Sequence, residues 1–287
     1  MIGYIALGAA AAGGLVALDR FANLAVRPIA QVPPISVPEL GLGHEDVTIP
    51  SGDHRLAGWV LSPEHATGDG PLILMAHGWG ASYATVIRLA EPLVRGGHQV
   101  LLFDFRGHGR NTALPYVTVR HFRDDVMAVV AYARSRFPNR KLVLVGHSLG
   151  GAASVLAAAE GAPVDALVLI AAPSDVLRIT SEYLTDKGMP GRLLTTVLRP
   201  FWWRRMGGTF GPHMPDRRIR GLSQPLLIIQ PELDRRVARE HAERLSAASG
   251  VPYELVPGHE HTDVLGAPLT AKLVDDFVTG LAGGGAA

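Results

Sequence analysis

The chain contains no cysteine. That excludes disulfides, thiolate nucleophiles and cysteine-based zinc or iron–sulfur sites together. Lysine is nearly missing as well: only Lys141, Lys187 and Lys272 are present, so positive charge is carried almost entirely by arginine. Neither sign of charge is in excess. A formal net charge of +1 over 287 residues gives no whole-protein field to gather a polyanion, so no nucleic-acid partner is expected. What is abundant is apolar surface, with 47% hydrophobic residues. A chain of this length can bury a sizeable core as one α/β domain with a modest insertion.

Residues 1–40 differ from the rest. No charge falls within residues 2–18, a run of mostly Ala, Gly, Leu and Ile that ends at Asp19-Arg20. About twenty apolar residues are needed to cross a bilayer, so this run is at the short end. A cleavable signal peptide has a basic n-region, and none precedes Ile2. Two readings stay open. One is a short anchor giving membrane association through residues 2–18, with Arg20 and Arg27 on its flank favouring a cytoplasmic remainder. The other is an apolar helix docked on a cytoplasmic domain. Pro33, Pro34 and Pro38 then make residues 31–38 a stiff, extended linker.

From about residue 41 the pattern becomes regular. Residues 47–50 and 55–61 flank Ser51-Gly52-Asp53 and read as a hairpin. Short continuous apolar runs at 72–76, 100–103, 142–145, 167–170 and 226–229 read as strands covered on both faces. A last strand is expected at 253–256. Helical stripes fall between them, for example Phe122, Val126, Val129, Val130 and Ala133. Alternating strands and helices predict right-handed crossovers and an eight-stranded, mostly parallel α/β sheet with helices on both faces. One stretch breaks the rhythm. Residues 173–224 offer no strand, and a gap that long predicts a functional insertion such as a lid.

The strongest local signal is Gly146-His147-Ser148-Leu149-Gly150, which follows an apolar strand and opens a small-residue helix. A Gly-x-Ser-x-Gly pentapeptide alone is a weak pattern. In this context it places Ser148 on a sharp strand-to-helix turn at a helix N-terminus, where negative charge is favoured. With these residues the chain resembles the α/β-hydrolase superfamily over roughly residues 45–281. The resemblance implies a serine-nucleophile enzyme whose triad runs nucleophile, acid, histidine. His77-Gly78-Trp79-Gly80 takes the place of the oxyanion loop, so the N–H groups of Trp79 and Leu149 are the implied oxyanion donors. His77 is expected to brace that loop. Asp104-Phe105-Arg106-Gly107-His108-Gly109 resembles a structural family turn, held by a charged pair.

After the strand at 226–229 comes Gln230-Pro231-Glu232-Leu233-Asp234-Arg235-Arg236-Val237. It resembles the family's acid loop, with Pro231 where glycine is usual. Asp234 fits the acid position and Glu232 is the competitor. The last strand leads into Pro257-Gly258-His259-Glu260-His261. Here the family pattern selects His261 over His259. A His-x-His metal pair finds no third ligand cluster, so neither a metal nor another cofactor is expected.

These parts imply a serine hydrolase of carboxylic esters, acting through an acyl-enzyme on a small-molecule ester. The insertion carries Phe201-Trp202-Trp203-Arg204-Arg205 together with Met189, Leu193, Leu194, Val197 and Leu198. Trp202 and Trp203 either bind substrate at an apolar acyl entrance or pack the lid onto the core while the arginines reach water. A serine aminopeptidase is the rival enzyme. It would need acids for a substrate amine, with Asp175, Glu182 and Asp186 as candidates. A catalytically silent scaffold is the alternative outside enzymology.

Overall fold

A computed structural model describes residues 2–28, 36–64 and 70–283. Most of the proline-rich segment, including Pro33 and Pro34, lies outside these residues. Helix α1 (Ile2–Ala25) precedes a single eight-stranded sheet. Its strands are β1 (Gly43–Ser51), β2 (His54–Ser62), β3 (Leu72–Ala76), β4 (Gln99–Phe103), β5 (Leu142–His147), β6 (Ala166–Ile170), β7 (Leu226–Pro231) and β8 (Tyr253–Val256). Their spatial order is β1-β2-β4-β3-β5-β6-β7-β8. Only the β1/β2 and β2/β4 pairs are antiparallel. The hairpin closes at Ser51↔His54, so Gly52 and Asp53 form its two-residue turn.

Between the strands run α2 (Tyr83–Arg95), α3 (Val119–Arg136) and α4 (Leu149–Ala159), then α5 (Val176–Asp186), α6 (Gly191–Arg205) and the short α7 (Pro215–Arg218), and finally α8 (Arg239–Ser249) and α9 (Pro268–Gly283). The uninterrupted apolar run of β3 is explained by its two buried faces. Ile73 and Met75 join the core under α2 and α9, while Leu72, Leu74 and Ala76 join the core under α3 and α4. This is the α/β-hydrolase architecture. The parallel strands β3, β5, β7 and β8 all point their C-terminal ends at one edge, where crossover loops can converge.

The region between β6 and β7 holds α5, α6, α7 and single 3-10 turns, and no strand among its residues. It packs on α4 and on α1 through a cluster containing Ala22, Leu156, Val176, Leu198, Trp202 and Met206. No helix among the described residues is long and apolar enough to cross a membrane. The side chains of residues 2–11, on which the expectation of an anchor in residues 2–18 rests, lie outside the described residues. The end of α1 is docked on the insertion: Trp202 Nε1 donates to the Ala22 carbonyl at 3.0 Å, and Arg204 and Arg205 both reach Asp19 at 2.9 Å. Asp19, the charge that ends the apolar run, thus ties α1 to the insertion together with Ala22 and Asn23.

Candidate active site

Ser148 lies between β5 and α4 with φ 54° and ψ −126°. A non-glycine residue in this region is strained by on the order of 1–3 kcal/mol and persists only when its surroundings fix it. They do so here. Ser148 N–H donates to the Ile170 carbonyl at 2.9 Å, and the Ser148 carbonyl accepts from Gly151 N–H, also at 2.9 Å. Gly150 lets α4 press against the end of β3; a Cβ there would stand 2.3 Å from the Ala76 carbonyl oxygen. The Ser148 side chain is thereby aimed out of the turn.

His261 Nε2 is 3.0 Å from Ser148 Oγ, and His261 Nδ1 is 2.8 Å from Asp234 Oδ2. A carboxylate can only accept, so Nδ1 carries the hydrogen and Nε2 is left to accept from the serine hydroxyl. Asp234 is itself held rigidly. Its Oδ1 accepts from the N–H groups of Arg236 at 2.8 Å and Val237 at 2.9 Å. Arg235 and Arg236 side chains are exposed.

The two competitors have other jobs. Glu232 Oε2 accepts from Gly258 N–H at 2.8 Å, and Leu233 N–H donates to the His259 carbonyl at 2.9 Å. These bonds stitch the acid loop to the histidine loop. His259 turns outward to Asp263, with Nδ1 3.3 Å from Oδ2. The two histidines therefore do not converge, and among the described residues no group of three or more potential ligands could hold a metal.

The 77–80 loop sits directly over the serine. A Cβ on Gly78 would come within 2.9 Å of Ser148 Cβ. Neither Trp79 N–H nor Leu149 N–H donates to any acceptor among the described residues, and Leu149 opens α4, where first-turn donors have no helical partner. His77 Nε2 accepts from Phe105 N–H at 3.1 Å, so its Nδ1–H donates to the Gly78 carbonyl at 2.8 Å. Burial drives its pKa well below the ordinary histidine value, helped by neighbouring His108. A neutral, doubly engaged His77 braces the loop. The Trp79 ring packs on His108 and Phe122.

The 104–109 turn is held by partners that only folding reveals, one of them outside the motif. Arg106 pairs with Asp125 of α3, its Nε 2.8 Å from Oδ1, and Ser51 Oγ donates to the same oxygen at 2.7 Å. Asp104 is fully buried and accepts from Tyr83 N–H at 2.7 Å and Arg110 N–H at 2.9 Å. Burial still pushes its pKa up to about 6.

One residue of the site had no assigned role in the sequence. His147 is buried, and its Nε2–H donates to the His261 carbonyl at 2.8 Å while the two rings lie 4.7 Å apart. It holds the backbone of His261. Burial, then His261, lowers its pKa to about 3, so it stays neutral. The signal was the position itself, one residue before Ser148, but its partner lies 114 residues away.

The insertion's two tryptophans have different surroundings. Trp202 is buried against α1, and Trp203 lines a surface groove with Arg199, Phe210 and Arg217. Of the two roles expected for this pair, packing is the one Trp202 displays, with α1 covering it. The acids considered for binding an amine are also engaged. Asp175 caps α5, and Asp186 lies 3.9 Å from Lys187. Glu182 pairs with Arg178 at 2.6 Å and with buried His241 at 3.0 Å.

The α/β-hydrolase fold family model matches residues 71–206. Protein ABHD12B from Homo sapiens is 30% identical over 261 residues, spanning 84% of this chain and 69% of that protein. The monoglyceride lipase of Rattus norvegicus is 31% identical over 129 residues, 44% of this chain and 42% of the lipase. Among solved structures, the Pyrococcus furiosus esterase Pf2001 has a TM-score of 0.69 over 88% of this chain and 98% of its own, at 21% identity. The chain belongs to the α/β-hydrolase fold family.

Proposed function

We propose that this chain is a serine hydrolase that cleaves carboxylic esters through Ser148, His261 and Asp234. The observation that carries this reading is the position of His261, with one ring nitrogen on a carboxylate and the other on the hydroxyl of a strained, outward-aimed serine. His261 Nε2 takes the proton as Ser148 Oγ attacks the acyl carbonyl. The negative charge on the carbonyl oxygen is met by the unengaged N–H groups of Trp79 and Leu149, each worth on the order of 3 kcal/mol in the transition state. Protonated His261 then gives its proton to the leaving alcohol. A water, deprotonated by the same nitrogen, releases the acid from the acyl-enzyme. Asp234 holds the tautomer and stabilises the imidazolium.

Esters are favoured over amides of a free N-terminal amine because Asp175, Glu182 and Asp186 already have partners. Residues 173–224 act as the lid. The test is labelling by a fluorophosphonate, with wild type compared to Ser148→Ala, followed by turnover of p-nitrophenyl esters and aminoacyl amides. Labelling of wild type alone, with ester turnover, is expected. Unlabelled wild type would overturn the enzyme reading in favour of a silent scaffold, and cleavage of amides only would make the protein a peptidase.

A further inference from the structure

The near-neutral total charge conceals a segregation. Residues 191–220 contain seven arginines and one acidic residue, Asp216, a net of +6 in a chain whose total is +1. Arg204 and Arg205 are used against Asp19, and Arg218 donates to the Ala159 carbonyl. Arg192, Arg199, Arg217 and Arg220 have no carboxylate partner among the described residues.

The same region exposes apolar side chains. Nine large hydrophobic residues are exposed among the described residues, and six lie on α1 and α6: Leu15, Val16 and Leu24, then Leu193, Val197 and Trp203. Leu193 is 61% exposed and Trp203 49%. Clustered exposed apolar residues on a monomer mark a contact surface. Behind Trp203 is a groove of about 480 Å³, lined by Thr196, Arg199, Phe210, Met214 and Arg217. The Arg199 guanidinium lies over the Phe210 ring at 5.5 Å. Cations thus rim an apolar floor.

We propose that the outer face of α6, with this groove, docks on an anionic lipid bilayer. Trp203, Leu193 and Val197 enter the headgroup–acyl boundary while Arg199 and Arg217 take lipid phosphates. The helix lies along the surface and does not cross it. Each component matches the physics of an interfacial helix: tryptophan and aliphatic residues beside arginines, on an element too short and too polar to span. Charge complementarity selects an anionic leaflet, because each basic residue near such a surface adds to the attraction. Nucleic acid fits less well, since Leu193 and Val197 offer no ring for a base to stack on. Docking stands apart from the hydrolase reading, because vesicle binding is measured without turnover.

The test uses the full chain in flotation assays. Vesicles of phosphatidylcholine alone are compared with vesicles in which about one-third is phosphatidylglycerol. Binding to the anionic vesicles only, weakened by salt, is expected. Arg199→Glu with Arg217→Glu should reduce it by roughly tenfold or more while leaving the thermal midpoint unchanged. If that pair fails to fold, Arg199→Gln with Arg217→Gln takes its place. Tryptophan emission should shift to the blue on anionic vesicles, and Trp203→Phe should abolish the shift. Equal binding to both vesicle types, no binding, unchanged binding by the arginine variants, or tighter binding to a single-stranded oligonucleotide would each overturn the proposal.

Discussion

The strand-end corner around Ser148 and the α1–α6 module solve opposite problems with different residues. At the corner, polar groups are buried and individually assigned: His77 to Phe105 and Gly78, His147 to the His261 carbonyl, Asp104 to two N–H groups. Its loops are cross-tied by Glu232 and Leu233. The module holds itself by apolar packing and a few arginine–aspartate pairs, and leaves arginines and aliphatics in solvent. A corner that, as proposed, holds reacting atoms to fractions of an ångström needs directional bonds. A face that meets a deformable partner needs area and charge. The two should therefore respond separately to mutation.

The largest expected effect lies at the corner. Ser148→Ala or His261→Ala should lower kcat/KM for a soluble p-nitrophenyl ester by roughly 10⁴-fold or more, with the urea midpoint little changed. In contrast, Trp203→Ala should leave that turnover within about twofold, since Trp203 is half exposed on the surface groove of α6 and bonds to none of Ser148, His261 and Asp234. A large loss on soluble ester in Trp203→Ala would break the separation.

Next comes stability in the module. Trp202→Ala removes a buried ring and its bond to the Ala22 carbonyl, at an expected cost of about 3–5 kcal/mol in urea titration. Soluble-ester kcat per folded molecule should hold. A raised KM with unchanged stability would instead make Trp202 a wall of the acyl site.

The pH response sharpens the same contrast. Burial holds His108 and His121 at about 4 and His147 at about 3, against 6.5 when unfolded. Groups that resist protonation in the folded state give full stability above about pH 6.5, and that stability is lost as pH falls toward 4 and then 3. Asp104 acts in the opposite sense. Its carboxyl, raised from 3.8 to about 6, favours folding most below about 3.8 and loses that contribution as pH rises to about 6. Several histidines outweigh one carboxylate, so the urea midpoint should decline from pH 6.5 to 4. A flat midpoint across that window would contradict the buried neutral corner. The smallest effect belongs to His259→Ala. Its outward contact with exposed Asp263 predicts under about 0.5 kcal/mol of stability and activity within about twofold.

Much of the corner was legible because its parts are local. The strand before Ser148, the glycines around it and the loops after β7 and β8 each announce themselves within a few residues. Asp234 over Glu232 and His261 over His259 could be ranked by motif, yet only folding brought the chosen pair within 2.8 Å and sent the others elsewhere. The same limit hid Asp125 as partner of Arg106, and the bond from His147 to His261. Such pairs join distant segments, and no spacing encodes them.

For residues 2–18 and the insertion, periodicity had less to offer. Apolar residues without a clear stripe fit an anchor or a docked helix, and what folding adds is the contact of Asp19, at the end of the run, with Arg204 and Arg205. By itself the sequence determined the alternation of strands and helices, the serine turn and the charge contrast of residues 191–220, because each depends on neighbours along the chain. The tertiary structure decided which histidine faces Ser148, which tryptophan is covered and where α1 rests. Those outcomes depend on burial and on contacts between segments more than a hundred residues apart.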